Sequence, residues 1–375
     1  MEELDHLREK GLLRNLRRVS SPARPLVTIG GRELVNFSSN DYLGLSRHPA
    51  LVEAASDALL KYGTGSTASR LVCGSLDIYH ELEETIAQLK KTEAALSFAN
   101  GYATAMGTIP ALVGKGDTVI LDKLSHACLI DAAKLSDATL RVFPHNDLAK
   151  LERLLGTATG RVLVVTESVF SMDGDLAPLA EIVELKERFG ALLLLDEAHA
   201  IGVLGPTGQG LAEALGAQEK VDFQMGTLGK AIGSAGGYLA ASQEWIDLLI
   251  NKARSFIYST APPPPPRPPA RLLGSAQASQ HKRGPSDQSK APPKYRSYRP
   301  DKTYSGSTRN SHHPNHHWRE PSRPRRFQKT PRVRLSSPRH PIPHRSQGNR
   351  PLAHHAERRP LGRADRRASQ EPWLA

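Results

Sequence analysis

The sequence predicts an α/β fold built on a mostly parallel central sheet. Short apolar runs alternate with amphipathic helical segments from about residue 51 to residue 242, the pattern of strands covered by helices on both faces. Polar clusters follow these apolar runs, as they do where loops and helix starts meet at the carboxyl ends of strands. The composition then changes sharply near Pro262, where the α/β pattern ends.

Residues 1–45 are predicted to form an N-terminal arm. The first residues are acidic and lack an apolar core segment, so we expect neither a signal peptide nor a membrane span. Cys73 and Cys128 are the only cysteines in the sequence, which gives no disulfide framework and no zinc-type spacing. A reducing compartment is therefore expected, and with it a cytoplasmic protein.

Residues 46–262 are predicted to form the large α/β domain. Ile78, Leu82, Ile86 and Leu89 recur at helical spacing before the first strand. The apolar runs then predict seven strands, at Ala94 to Phe98, Thr118 to Leu121, Leu140 to Phe143, Val162 to Val165, Ala191 to Leu195, Asp222 to Met225 and Tyr238 to Ala241.

Residues 263–375 are predicted to be a basic, disordered tail. From Pro262 onward the chain has 25 Lys and Arg against 6 Asp and Glu, and it holds 21 of the 28 prolines. Apolar residues there are too scattered for a helical or strand period. A frameshift would produce such a composition; alternatively, the tail binds nucleic acid or another polyanion through its charge, but it lacks a repeated recognition unit.

Lys230 and Asp196 are the strongest candidates for chemistry. Asp196 ends an apolar strand, and Lys230 follows it by 34 residues in a glycine-bounded turn, Gly226-Thr227-Leu228-Gly229-Lys230. Pyridoxal phosphate needs a lysine to hold its aldehyde as a Schiff base and an acid to keep its ring nitrogen protonated. Taken alone, each residue has a more common structural reading: a solvated surface lysine, and a helix cap or ion pair.

The other polar motifs are more convincing as site residues because they all lie at predicted strand ends. Asn100-Gly101-Tyr102 offers backbone N–H groups to an anion at a helix start, although a plain strand-to-helix turn would look the same. His126 could lie against a cofactor ring or be a satisfied core histidine. The glycines around Lys230 do not match a P-loop, and the segment from Gly205 to Gly210 does not match a dinucleotide fingerprint.

Several longer stretches resemble the α-oxoamine synthases, from about Leu13 to Pro264. They include Asn36 to Leu45, Gly63 to Gly74, Ser125-His126-Ala127, His145-Asn146-Asp147, Val169 to Asp175, Asp196 to Gly202, Gly226 to Lys230 and Phe256 to Thr260. This resemblance implies a fold-type I pyridoxal phosphate-dependent transferase, similar to aspartate aminotransferase, with the large domain present. The family continues into a C-terminal small domain that this chain is expected to lack.

The resemblance also implies roles around the cofactor ring. Lys230 would be the covalent lysine and a catalytic residue, and Asp196 would pair with the ring nitrogen. His126 would stack on the ring as the second catalytic residue. His199 and Ser171 would hydrogen-bond the phenolic oxygen of the cofactor.

Other positions would hold the phosphate and the substrate. The backbones of Gly101 and Tyr102, with Thr227, would bind the phosphate. Asn40 and Arg17 would lie on the substrate side.

The implied reaction is a decarboxylative condensation of L-alanine with a pimeloyl thioester in biotin biosynthesis, and a glycine-using C-acetyltransferase is the alternative. Family members are dimers with shared active sites, so Thr260 would lie near the cofactor of the neighbouring subunit. A homodimer with small-molecule substrates is therefore expected, with no membrane, nucleic acid or metal. The family's carboxylate-binding arginine comes from the C-terminal domain and matches no tail arginine, so the chain is expected to have little activity.

Overall fold

A computed structural model of the chain describes residues 2–264. Its first elements are a helix, α1 (Glu2–Glu9), and an antiparallel hairpin of β1 (Leu26–Ile29) and β2 (Arg32–Val35). Every residue of β2 is exposed and α1 buries none of its residues. The long helix α2 (Pro49–Tyr62) follows. The arm that was predicted for residues 1–45 therefore contributes only Val27 and Leu45 to the buried apolar residues.

A seven-stranded sheet forms the centre of the described region. Its strands are β3 (Ala94–Phe98), β4 (Thr118–Asp122), β5 (Thr139–Phe143), β6 (Val162–Glu167), β7 (Leu192–Asp196), β8 (Phe223–Thr227) and β9 (Gly237–Ala241). The strand order is β3-β9-β8-β7-β6-β4-β5. Only β9 runs against its neighbours; the other pairings are parallel. The predicted, mostly parallel sheet is confirmed. The first and last residues of each predicted strand lie within two residues of the observed ones.

Helices cover both faces of this sheet because its strands bury side chains on both sides. Val119 and Leu121 of β4 belong to one apolar cluster, and Ile120 between them belongs to another. The helices are α3 (Asp77–Lys90), α4 (Gly101–Leu112), α5 (Ala127–Leu135), α6 (Leu148–Leu155), α7 (Leu179–Phe189), α8 (Leu211–Ala214), α9 (Gln243–Lys252) and α10 (Arg254–Ile257).

The polar residues at the strand ends belong to the strands themselves, which extend one or two residues beyond the predicted apolar runs. Asp122, Glu167, Asp196 and Thr227 are the last residues of β4, β6, β7 and β8. Their backbones still pair with the neighbouring strand, as in the register that places Glu167 beside Asp196. These side chains are therefore held by the sheet and not by a loop.

No helix in the described region is long and apolar enough to cross a membrane. Residues 265–375, which make up nearly all of the predicted tail, lie outside the described part of the chain. The prediction that this tail is disordered therefore lies outside the described residues.

Candidate functional site

The turn after β8 carries Lys230 and is closed by its own backbone. Leu228 N–H donates to Gly236 O at 3.0 Å, and Gly233 N–H donates to Lys230 O at 2.9 Å. Gly233 has a φ of +70°, and a Cβ there would lie 2.4 Å from Ser46 N. Only glycine fits that close approach, so the turn is held firmly against the segment that precedes α2.

A line of polar groups leads from Lys230 to the N-terminal arm. Lys230 Nζ lies 2.7 Å from His199 Nε2, and His199 Nδ1 lies 2.6 Å from the hydroxyl of Tyr42. That hydroxyl donates to Asn40 Oδ1 at 3.1 Å, so His199 Nδ1 carries the proton that Tyr42 accepts. His199 Nε2 is then an acceptor for the Lys230 amine. Burial lowers the pKa of Lys230, which favours the neutral, nucleophilic amine.

Asp196 and its neighbours point in different directions from the end of β7. Asp196 is buried, and its Oδ1 accepts a hydrogen bond from Ala198 N–H at 2.9 Å. Glu197 turns away into a fully buried ion pair with Lys90 and also accepts from Ala212 N–H. Burial raises the pKa of Asp196, and the nearby Lys230 and His126 oppose that effect only partly. A cationic ring nitrogen beside Asp196 would compensate its charge.

Glu167 is a site residue that the sequence reasoning did not single out. It ends β6 directly beside Asp196, is buried, and accepts a hydrogen bond from the backbone N–H of His126. Burial and the charge of Asp196 raise the pKa of Glu167 to about 8. The signal that could have found it is its place as a carboxylate at the end of the apolar run that forms β6.

We expect substitution of Glu167 by glutamine to flatten the pH dependence of stability. The folded chain keeps this proton up to about pH 8, whereas an ordinary glutamate loses it near pH 4.5. The folded state thus binds more protons than the unfolded state, and the free energy of unfolding falls as the pH rises between these values. Over this whole pH interval the effect is on the order of 5 kcal/mol.

Urea unfolding of the apo chain and of Glu167→Gln at pH 5, 6, 7 and 8 measures this effect. The stability difference between the two chains should move in favour of the glutamine variant as the pH rises. Glu53→Gln, at an exposed position on α2, is the matched control and should run parallel to the unsubstituted chain. A Glu167→Gln curve that also runs parallel would show that this carboxyl titrates normally.

His126 stands at the start of α5 with an exposed ring. Its Nδ1 accepts a hydrogen bond from Cys128 N–H at 3.2 Å and so caps the helix. The backbone of the same residue is held by Glu167. The backbone N–H and the Nδ1 of His126 are thus held by hydrogen bonds, while the exposed face of the ring can contact a bound planar group.

The start of α4 and the end of β8 form a small cradle. Asn100 caps α4 by accepting from Ala103 N–H at 2.8 Å, and a Cβ on Gly101 would lie 3.7 Å from Thr227 Cβ. The backbone N–H groups of Gly101 and Tyr102 lie in the first turn, where no intrahelical acceptor exists. The Tyr102 hydroxyl is engaged elsewhere, donating to Asp131 at 2.7 Å. These amides suit a phosphate, and the Thr227 hydroxyl, which donates to Gly236 O at 2.9 Å, lies beside them.

Three predicted site residues have no side-chain hydrogen bond to any other residue within 2–264. Ser171 lies in the turn between β6 and α7. Arg17 is exposed in the segment between α1 and β1. Thr260 is exposed and pairs with Ser69 through an isolated backbone bridge. Their assignments, like the site roles of the residues above, stay predictions.

Comparison with known proteins places this geometry in a family. The family model described as aminotransferase class I and II matches residues 32–266. The chain belongs to this family. Within the aminotransferase class I and II family, it is 54% identical over 279 residues to 8-amino-7-oxononanoate synthase of Geobacter sulfurreducens, covering 74% of this chain and 70% of the relative. The corresponding enzyme of Geobacter metallireducens is 53% identical over the same length.

Solved structures of the family share the fold. Serine palmitoyltransferase of Sphingomonas wittichii superposes with a TM-score of 0.68 at 33% identity, covering 75% of this chain and 71% of that one. A serine palmitoyltransferase from S. paucimobilis with a bound PLP–myriocin aldimine has a TM-score of 0.67 at 30% identity, over 76% and 74% of the two chains. The 8-amino-7-oxononanoate synthase of Francisella tularensis has a TM-score of 0.54 at 29% identity, over 67% and 70%.

These comparisons confirm the main expectations from the sequence. The fold is that of the fold-type I pyridoxal phosphate-dependent transferases. The chain is an acyltransferase-type member of the family, grouped with the 8-amino-7-oxononanoate synthases.

Proposed function

We propose that this chain binds pyridoxal 5'-phosphate and is built to condense L-alanine with a pimeloyl thioester, releasing CO2 and a thiol. The observation that carries the proposal is the pairing of Lys230 with His199 at 2.7 Å beside the buried Asp196, in a chain 54% identical to an 8-amino-7-oxononanoate synthase. When bound, the cofactor supplies an electron sink for the carbanion at the amino acid α-carbon.

Different residues of the chain would bind different parts of the cofactor. Asp196 would hold the ring nitrogen protonated, while the amides at the start of α4 and the Thr227 hydroxyl would bind the phosphate. The lowered pKa of Lys230 suits an amine that alternates between covalent attachment and proton transfer at the substrate α-carbon. His199 accepts from that amine and would also orient the phenolic oxygen together with Ser171.

The substrate side would be formed by the arm and by His126. Asn40 is tied to His199 through Tyr42, which places an amide close to the reacting lysine. The exposed ring of His126 would cover one face of the cofactor and keep water from it. Arg17 would contribute a charge for the acyl substrate.

We also propose that the protein acts in the cytoplasm as a homodimer, with Thr260 near the neighbouring site. Thr260 is exposed, and Tyr258, two residues before it, has 71% of its surface exposed. A tyrosine exposed to this extent is available to a subunit interface, where tyrosine is an enriched residue. The resemblance gives the same assembly.

We expect the chain to show little synthase activity on its own. By the resemblance, the arginine that clamps the substrate carboxylate lies beyond residue 262, where no arginine of this chain matches it. Misplacing a reactant by about 1 Å already costs on the order of a hundredfold in rate. A chimera in which residues 263–375 are replaced by the corresponding segment of the Geobacter sulfurreducens relative should therefore be at least ~100-fold faster.

Both proteins are assayed for thiol and CO2 release with L-alanine and pimeloyl-CoA, with the Lys230→Ala chimera as the blank. Comparable turnover by the chain and the chimera would refute the role given to the C-terminal segment. Turnover of the chimera with glycine and acetyl-CoA, but not with alanine and pimeloyl-CoA, would move the chain to the alternative, glycine-using reaction.

A further inference from the structure

His145 lies between two carboxylates that belong to different parts of the sheet edge. Its Nδ1 is 2.9 Å from Asp122 Oδ1, at the end of β4, and its Nε2 is 2.7 Å from Asp175 Oδ2, in the turn after β6. The ring also packs edge-on against Phe170, with 4.4 Å between the ring centroids. Both ring nitrogens are therefore used, each on a separate segment.

Asn146 repeats the same bridge. Its backbone N–H donates to the second oxygen of Asp122 at 2.9 Å, and its side-chain amide donates to Asp175 at 3.3 Å and to Leu176 O at 3.2 Å. Asn146 has a φ of +56°, a conformation that asparagine tolerates better than most residues. Two consecutive residues thus connect the same two segments.

The Asp122 end of this bridge supports His126. Asp122 Oδ1 accepts from Leu124 N–H at 2.8 Å, and Asp122 O accepts from Ser125 N–H at 3.0 Å. These bonds form the turn that leads directly into His126. The Asp122 carboxylate therefore helps to hold this turn, together with Lys123 N–H, which donates to Phe143 O at 3.0 Å, and His126 N–H, which donates to Glu167.

The Asp175 end supports Ser171. Phe170 N–H donates to Asp175 O at 3.0 Å, and Gly174 N–H donates to Phe170 O at 2.8 Å. These bonds close a compact loop that contains Ser171. Only the side chains of His145 and Asn146 connect this loop to the end of β4 among the hydrogen bonds of the described residues.

A histidine suits this position because an imidazolium donates from both nitrogens to two carboxylates. Burial would lower the pKa of His145, but the hydrogen bonds and charges of Asp175 and Asp122 outweigh that effect and raise it. The charged groups that face the ring are these two aspartates. The Asp122 side chain is almost fully buried, so the imidazolium also compensates its charge.

We propose that His145 is a positioning residue that fixes the Ser171 loop relative to the His126 turn through Asp175 and Asp122. This inference rests on the proposed function, in which the Ser171 loop and the His126 turn contact different parts of the same cofactor. It also assigns a role to the His145-Asn146 pair, which the cofactor contacts leave unexplained.

Hydrogen exchange of the full chain without cofactor tests the bridge itself. His145→Gln keeps at most one of the two contacts, so the amides of Phe170, Gly174, Leu124 and Ser125 should exchange about tenfold faster or more at pH 7. Asp175→Asn, at a carboxylate with 44% of its side chain exposed, should affect the first two amides and leave Leu124 and Ser125 unchanged. His6→Gln, on the exposed helix α1, is the matched control.

Cofactor spectra test the consequence for the site. Pyridoxal 5'-phosphate is titrated into each chain, and the visible absorbance of the bound cofactor is recorded from pH 6 to pH 9. His145→Gln should shift the midpoint of the absorbance change with pH, since Ser171 no longer holds the phenolic oxygen, and should weaken binding about tenfold. A purely structural role would lower the melting temperature without moving that midpoint.

The outcomes separate this inference from the proposed function. Failure of the unsubstituted chain to bind the cofactor would refute the proposed function and the cofactor part of the inference together. Normal binding, with unchanged exchange and an unchanged midpoint in His145→Gln, would overturn the inference alone. If His145→Gln does not fold, Asp175→Asn decides the question. Faster exchange of Leu124 and Ser125, as well as of Phe170 and Gly174, in that variant would overturn the inference, because loss of the Asp175 contact should leave the contact between His145 and Asp122 in place.

Discussion

Lys230→Ala should abolish covalent attachment of pyridoxal 5'-phosphate to the chain. Lys230 is the lysine that lies within 2.7 Å of His199 and close enough to Asp196 and Glu167 for their charges to affect its pKa. Burial lowers that pKa, which favours the neutral amine that attacks an aldehyde. An alanine removes the nucleophile and leaves the phosphate cradle intact.

The measurement is reduction with borohydride followed by mass spectrometry. The unsubstituted chain should gain the mass of one reduced cofactor, on the peptide that contains Lys230, and the visible band of the bound cofactor should disappear. Lys230→Ala should gain nothing, while Lys252→Ala, at an exposed position at the end of α9, should label normally. Undiminished labelling of Lys230→Ala would place the covalent lysine elsewhere in the chain.

The strands were predictable because most of them bury side chains on both faces of the sheet. Alternate residues of β6 enter different apolar clusters, with Leu163 and Val165 in one and Val164 in the other. A strand buried on both faces reads as an unbroken apolar run, which is the simplest signal in a sequence. The polar residue that follows each run could also be predicted as the strand end, although Thr166 and Gln224 show that fully buried polar side chains also occur within these strands.

The partners of those residues were not predictable, because they depend on register between distant strands. The sequence indicates that Asp196 ends a strand but not that Glu167 lies beside it, since their pairing follows from the alignment of β6 with β7. The contact between Tyr42 and His199 spans 157 positions and depends on how the arm lies over the sheet. No local pattern in the sequence specifies either contact.

Asp196→Asn should weaken cofactor binding while leaving the apo fold at least as stable. Asparagine keeps the acceptor for Ala198 N–H but cannot compensate a protonated ring nitrogen. Removing one partner of a buried, hydrogen-bonded charge pair costs roughly 2–5 kcal/mol, so the dissociation constant should rise by a factor of about 30 or more. In the apo chain the opposite sign holds, because burial raises the pKa of Asp196 and its charge is a liability there.

Two measurements on the same variant test these opposed effects. Equilibrium dialysis gives the affinity for pyridoxal 5'-phosphate, and thermal unfolding without and with cofactor gives the two stabilities. The cofactor should raise the melting temperature of the unsubstituted chain clearly more than that of Asp196→Asn, since ligand stabilisation follows affinity. Asp57→Asn, at an exposed position on α2, should match the unsubstituted chain in both. A variant that loses apo stability and keeps its affinity would make Asp196 a structural residue, because a carboxylate held for a cofactor cation is destabilising until that cation is bound.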